Sequence, residues 1–317
     1  MRRRIGSIVL GLGLALAACA PRVQLAGPPL GPPRLEAEVF VAADGARLPF
    51  TVWQPSGPPI AAIVALHGFN DYRRAFEAPA AWWRRQGVVT YAYDQRGFGA
   101  APEPGIWAAH EVLAADARAV LRAVKARHPD VPVFLLGESM GGAVAVLALS
   151  QGGDEAAGGI LVAPALWGGP ELNGLFRAAV WVGAHVMPWN HAGGAELRRR
   201  PSDNVPMLRA LANDPLVLKQ TRLDAVHGLV RLMDAAHAVA GRVGRPLLVL
   251  VGERDEVLPP DSILRPFADS GMKPTLRRYP SGWHMLLRDL QAEQVWADVA
   301  AWALNGPLGT AVGDSQR

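Results

Sequence analysis

The chain predicts a doubly wound α/β fold, a mostly parallel sheet with helices packed on both faces. Three features lead to this reading. Short continuous apolar runs recur at Ile60 to Leu66, Val88 to Tyr93, Val131 to Leu136, Gly159 to Val162 and Pro246 to Val251, the pattern of strands buried on both faces of a parallel sheet. Helical stretches separate them, most clearly Ala109 to Arg127, where Leu113, Ala117, Val120, Leu121 and Val124 form one apolar stripe and charged residues fill the rest. Strand and helix in alternation specify a layered α/β domain. The third feature is an interruption: about 165 to 241 holds no strand-like run and is far longer than one crossover needs, so a helical cap is inserted before the late strands.

The N-terminus stands outside this pattern. Arg2, Arg3 and Arg4 precede an apolar run from Ile5 to Leu16, and Leu16-Ala17-Ala18-Cys19 follows. This is the form of a signal peptide, 1–18, too short to span a membrane as a mature anchor. Its end resembles the lipobox of bacterial lipoproteins, in which the cysteine becomes the first mature residue and carries the lipid. The resemblance implies lipidation at Cys19, a membrane partner through that lipid and a cell-envelope location on the periplasmic side. Ala20 after the cysteine resembles the outer-membrane type, for a Gram-negative source. Cys19 is also the only cysteine, so no internal disulfide forms and the core must supply stability. The formal charge of +4 includes the three arginines. Without them the balance is 29 minus 28, or +1, which excludes the strongly basic surface that nucleic-acid binding needs.

Residues 19–34, with Pro-Pro pairs and little to pack, are expected to form a tether between lipid and domain. The catalytic domain then covers 35–304. Glu38 to Ala42 and Leu48 to Trp53 flank an Asp44-Gly45 turn signal and predict an opening hairpin. The cap carries Trp167, Leu172, Leu175, Phe176, Val180, Trp181, Val182, Met187 and Trp189. These side chains suit the core of a helical insert, or a lining for an acyl pocket. The run Arg198-Arg199-Arg200 reads as a solvated face. The tail 305–317 is expected to be unstructured.

Gly137-Glu138-Ser139-Met140-Gly141 lies between the strand Val131 to Leu136 and an all-apolar helix from Gly142 to Leu149, the setting of a nucleophile elbow. A sharp strand-to-helix turn brings neighbouring backbone close, and glycine leaves room for it. Ser139 would then present its hydroxyl at the positive end of a helix. A serine hydroxyl attacks only when a base takes its proton and a third group orients that base. Asp255 follows the strand ending at Val251 and is the preferred acid, with Glu253 and Glu256 as lesser alternatives. His284, in the loop after a last strand from Thr275 to Tyr279, is the base. His67 precedes the serine and is read as structural; His110, His128, His185, His191, His227 and His237 are read as surface or structural. The oxyanion donors expected are the backbone amides of Phe69 and Met140. No metal or organic cofactor is required.

Leu66-His67-Gly68-Phe69, Asp94-Gln95-Arg96-Gly97-Phe98-Gly99, Gly137-Glu138-Ser139-Met140-Gly141-Gly142, Gly252-Glu253-Arg254-Asp255 and Trp283-His284-Met285-Leu286-Leu287 together resemble the monoacylglycerol lipase and lysophospholipase branch of the α/β-hydrolases, a serine aminopeptidase S33-type group. Asn213-Asp214-Pro215-Leu216-Val217 in the cap is similar to a segment of that branch. The resemblance spans nearly all of the mature chain. It implies the α/β-hydrolase fold and hydrolysis of a monoacylglycerol, a lysophospholipid or a related small-molecule ester, with Asp94 and Arg96 in a structural loop. The chain departs from the branch in lacking a second glycine after His67-Gly68 and in placing Asp94-Gln95-Arg96 where a histidine is usual. An aminopeptidase on this scaffold would need an acidic or polar pocket for the substrate amine, which the apolar cap disfavours. A dehalogenase would need a carboxylate where Ser139 stands, and a non-catalytic lipoprotein scaffold would leave the catalytic residues unexplained.

Overall fold

The computed structural model describes residues 20–192 and 199–306. Cys19, the signal peptide, Arg198 and the tail from 307 lie outside the described residues. The central sheet is built from the apolar runs: β1 (Val23–Gln24), β2 (Arg34–Leu35), β3 (Val39–Val41), β4 (Arg47–Trp53), β5 (Ala61–Leu66), β6 (Val88–Tyr93), β7 (Trp107–Ala108), β8 (Val133–Glu138), β9 (Gly158–Val162), β10 (Leu247–Gly252) and β11 (Thr275–Tyr279) are the described strands. Nine of them form one sheet in the order β11-β10-β9-β8-β5-β6-β4-β3-β2. From β11 to β6 every pairing is parallel, and β4, β3 and β2 extend that edge antiparallel. The helices are α1 (Glu77–Trp83), α2 (His110–Arg127), α3 (Met140–Ser150), α4 (Gly174–Val186), α5 (Val205–Asn213), α6 (Leu223–Val239), α7 (Pro260–Ser270) and α8 (Ala292–Asn305).

The strands show why a doubly wound arrangement results. Along β5, Ala62, Val64 and Leu66 enter one core with residues of α2, α3 and α6, while Ala61, Ile63 and Ala65 enter another with Ala80 and Trp83 of α1 and Val295, Val299 and Trp302 of α8. Alternation along an apolar run thus fills both faces. The order of strands also reverses between β5 and β8, since β6 lies on one side of β5 and β8 to β11 on the other. That switch point is where an open parallel sheet leaves a crevice at its carboxyl edge. None of the described helices is long and apolar enough to cross a membrane.

Two expectations change. Residues 21–34 do not form a free tether: Val23 and Gln24 pair parallel with Trp107 and Ala108, and the buried Gln24 donates from Nε2 to Ile106 O at 2.7 Å. The Arg22 amide donates to Asp224 Oδ2 at 3.1 Å and the Leu30 amide to Ala43 O at 2.7 Å, so the segment is strapped onto the domain, and Arg34–Leu35 already belongs to the sheet. Backbone pairing and one buried amide do this, and neither leaves an apolar pattern to read. In the insert, Leu172 and Val180 are buried, but Leu175 is 80% exposed and Trp181 54%, and Phe176, Val182, Met187 and Trp189 also face outward. The insert's aromatic residues are therefore mostly surface, not the core of a helical subdomain. The interval from β9 to β10 contains α4, α5 and α6 and no described strand.

Candidate active site

Ser139 sits between β8 and α3 with φ +52° and ψ −115°, a left-handed-side backbone that a residue with a side chain adopts only at a cost of about 1–3 kcal/mol. Its surroundings hold it there. The Ser139 amide donates to Val162 O at 2.9 Å, and its carbonyl accepts from Gly142 N at 2.9 Å and Ala165 N at 2.8 Å. The turn is tight enough that only glycine fits on either side: a Cβ on Gly137 would lie 2.2 Å from Gly141 O, and one on Gly141 would lie 2.1 Å from Leu66 O. Both contacts are with backbone, which cannot swing aside.

The structure brings the three separated residues together. His284 Nε2 is 2.9 Å from Ser139 Oγ, and His284 Nδ1 is 2.8 Å from Asp255 Oδ2. Asp255 Oδ1 accepts from the amides of Val257 at 2.8 Å and Leu258 at 2.9 Å. Asp255 and His284 are buried, while Ser139 is half-buried. Asp255 follows β10 and His284 follows β11, so all three groups stand at the carboxyl ends of parallel strands. The other two acids are engaged elsewhere: Glu253 pairs with Arg278 at 3.0 Å, and Glu256 accepts from the Arg200 amide at 2.8 Å. Arg200 also lies over the Trp283 ring, 4.7 Å from its centroid, so part of the arginine run packs beside the histidine loop.

The loop after β5 adjoins the serine, since a Cβ on Gly68 would lie 3.5 Å from Ser139 Cβ. His67 holds this loop and does not reach the serine. The Gln95 amide donates to His67 Nε2 at 3.0 Å, which requires the proton on Nδ1, and Nδ1 in turn donates to Gly68 O at 2.8 Å. Burial pushes the His67 pKa down and favours this neutral form. Of the remaining histidines, His128 Nε2 meets the Tyr91 hydroxyl at 2.8 Å, His237 Nδ1 meets Leu166 O at 2.9 Å, and His185 Nδ1 meets Trp181 O at 2.7 Å. The Asp94 carboxylate accepts from the amides of Arg73 at 2.9 Å and Ala100 at 2.8 Å. Arg96 is buried between Asp116 at 2.7 Å and Asp44, where it makes two bonds of 2.7 and 2.9 Å. The Arg96 hydrogen bonds lower the Asp44 pKa to about 2.

A second buried ionic group was not legible in the sequence. Arg288, four residues beyond His284, places Nη2 2.7 Å from Asp71 Oδ2 and 3.2 Å from Glu138 Oε2. Asp71 belongs to the loop after β5, and Glu138 immediately precedes the serine. One guanidinium therefore ties together the serine turn, the histidine loop and the loop carrying Phe69. Burial pushes the Glu138 carboxyl above its usual range, against the pull of Arg288. Removing the cation would leave two buried carboxylates unpaired, a change that typically costs about 3–5 kcal/mol. Arg288→Met should accordingly lower the unfolding free energy obtained from urea titration by about 3–5 kcal/mol, with an unchanged midpoint counting against the pairing.

Fold and side-chain constellation together define a serine hydrolase of the α/β-hydrolase class. A family model described as serine aminopeptidase, S33, matches residues 57–291, and the chain belongs to that family. Among similar proteins, the monoglyceride lipase of Rattus norvegicus is 28% identical over 79% of this chain and 84% of its own. The monoacylglycerol lipase of Mycolicibacterium smegmatis is 23% identical over 84% of this chain and 96% of its own. The crystal structure of the Paleococcus ferrophilus monoacylglycerol lipase superposes with a TM-score of 0.67 at 22% identity, covering 81% of this chain and 98% of that one, and shares the fold.

Proposed function

We infer that the chain is a carboxylic ester hydrolase of the monoacylglycerol lipase type that works through an acyl-enzyme on Ser139. The contiguous line Ser139 Oγ, His284 Nε2, His284 Nδ1 and Asp255 Oδ2, with gaps of 2.9 and 2.8 Å, carries this reading. In the reaction Ser139 Oγ attacks the ester carbonyl carbon as its proton passes to His284 Nε2, and Asp255 stabilises the resulting imidazolium. The oxyanion would be met by the amides of Phe69 and Met140. Collapse expels the alcohol, which takes the proton from His284. Water, deprotonated by the same nitrogen, then attacks the acyl-enzyme and releases the fatty acid.

A monoacyl lipid, monoacylglycerol or lysophospholipid, is the substrate class we propose. The relatives' names support it, as do the apolar side chains Leu175, Phe176, Trp181, Val182, Met187 and Trp189 that the insert exposes. Amide cleavage beside a free amine would need an unengaged carboxylate near Ser139. Asp71 and Glu138 are both engaged by Arg288, while Asp289 accepts from the Ser202 hydroxyl at 2.6 Å and the Trp283 amide at 2.7 Å. Turnover of monoacylglycerols, lysophospholipids, p-nitrophenyl esters of increasing chain length and aminoacyl amides separates these chemistries. The long-chain monoacyl lipids should be the best substrates, and a preference for the amides would overturn the assignment.

We further propose that Cys19 carries a lipid and that the protein sits on the periplasmic side of the cell envelope, supported by the signal-peptide pattern of 1–19. One acyl chain binds only weakly, so stable anchoring needs more than one. Cys19→Ser should move the protein from the membrane fraction or leave it unprocessed. Unaltered membrane partition of a correctly cleaved Cys19→Ser chain would rule the lipid out.

A further inference from the structure

Asn70, the residue after Phe69, has φ +64°, a left-handed backbone that asparagine tolerates better than most side chains but that still needs support. The support comes from the cap. Leu218 N donates to Asn70 O at 2.9 Å, Asn70 Nδ2 donates to Thr221 Oγ1 at 2.7 Å, and two residues on, the Tyr72 hydroxyl donates to Asp214 Oδ2 at 2.6 Å. All three partners lie in the connection between α5 and α6. That connection is itself cross-linked: Lys219 Nζ donates to the carbonyls of Leu211 at 2.7 Å, Asp214 at 2.6 Å and Val217 at 2.8 Å, and Asp214 Oδ1 accepts from the Leu216 amide at 2.9 Å. Its far end is tied down by Ala192 N, which donates to Thr221 O at 2.8 Å. Burial first, and Asp214 second, push the Tyr72 pKa up to about 12, so the phenol remains a donor near neutrality.

The loop after β5 is thus held from two sides. His67 and the Asp71–Arg288 pair fix it to the body, and Asn70 and Tyr72 fix it to the cap. Phe69 lies between His67 and Asn70, one anchor from each set. We propose that residues 214–221 of the cap form a strap that sets the position of the Phe69 amide, with Asn70 and Thr221 as positioning residues, so that the cap controls the rate of the chemical step as well as access to it. This rests on the reading of that amide as an oxyanion donor. A donor aimed at the oxyanion acts only in the transition state, so loosening it lowers kcat and kcat/KM together and leaves KM in place.

The test uses the full chain, p-nitrophenyl acetate, whose short acyl group needs little grip from the cap, and four variants. Thr221→Val removes the hydroxyl at constant shape, Thr221→Ser restores it, and Asn70→Gly keeps the left-handed backbone without the amide. A displacement of about 1 Å can cost about 10²-fold in rate, and a loosened donor should cost about tenfold. Thr221→Val and Asn70→Gly should each lose that factor in kcat with KM and Tm near wild type, and Thr221→Ser should recover it. The double variant Asn70→Gly with Thr221→Val should be no slower than the slower single, because both break the same bond. Wild-type kcat in both single variants would overturn the strap, as would a change confined to KM or a fall in rate that merely follows loss of folded protein. Because the two singles differ in what they do to the backbone, misfolding of one still leaves the other to decide. Failure of the strap leaves wild-type ester turnover and serine labelling intact, whereas failure of the functional reading removes both.

Discussion

Asp255→Asn should lower kcat by about 10⁴-fold while leaving a folded protein that still presents Ser139. The reason lies in how the carboxylate is gripped. Oδ1 takes two backbone amides, from Val257 and Leu258, and Oδ2 takes the Nδ1 proton of His284. An asparagine keeps the two amides only by leaving its oxygen on that side, which turns its NH₂ toward Nδ1. Two donors would then face each other unless the imidazole moves its proton to Nε2. That tautomer donates to Ser139 Oγ and cannot take its proton. Flipping the amide instead restores the tautomer but sets the NH₂ against two backbone N–H groups. The first arrangement loses the base and the second keeps it only by leaving two backbone amides without an acceptor, although the side chain's volume is unchanged. Steady-state kcat on a p-nitrophenyl ester, measured beside Tm, checks this; turnover within tenfold of wild type would transfer the acid role away from Asp255. Glu253 and Glu256 are poor recipients of it, since Arg278 and the Arg200 amide already occupy them.

What was readable in the chain follows from which interactions leave a pattern. β5, β6, β8, β9 and β10 lie within a residue or two of the expected runs because each is buried on both faces and so is apolar at nearly every position, Thr90 and Glu138 being the polar exceptions. The Ser139 and Asp255 positions were readable because each follows such a strand, and His284 because it lies in the loop after the last strand, β11, although that strand is polar and mostly half-buried. Elements held by backbone or by one-off polar contacts were not. Val23–Gln24 and Arg34–Leu35 are two-residue strands with one buried side chain between them, so composition put Val23, Gln24 and Arg34 in the tether. Arg288 and Asp71 look like surface charges until the fold closes around them. The bond between Asn70 and Thr221 joins residues 151 positions apart and has no local signature at all. Outward-facing Trp181 and Trp189 mislead in the opposite direction, because an apolar side chain in a sequence is read as core by default.

Ser139→Ala should abolish labelling by a fluorophosphonate probe and reduce kcat by about 10⁶-fold, the scale seen when the nucleophile of a comparable triad is removed. Alanine keeps the Cβ and loses only Oγ, so the imidazole stays paired with Asp255 and the backbone stays in its φ +52° turn. Tm should change little, and a matching far-UV spectrum would show that the loss is chemical. Glycine at the same site is the informative companion. It too lacks the nucleophile, but it adopts positive φ without the steric conflict, so relief of backbone strain opposes the entropy it adds to the unfolded chain. Ser139→Gly should therefore be at least as stable as Ser139→Ala, by up to about 1 kcal/mol. That ordering is the reverse of the one inside a helix, where Gly in place of Ala destabilises. Finding Ala the more stable would mean that the turn at Ser139 stores no strain, and that its four backbone hydrogen bonds impose a conformation the residue already prefers.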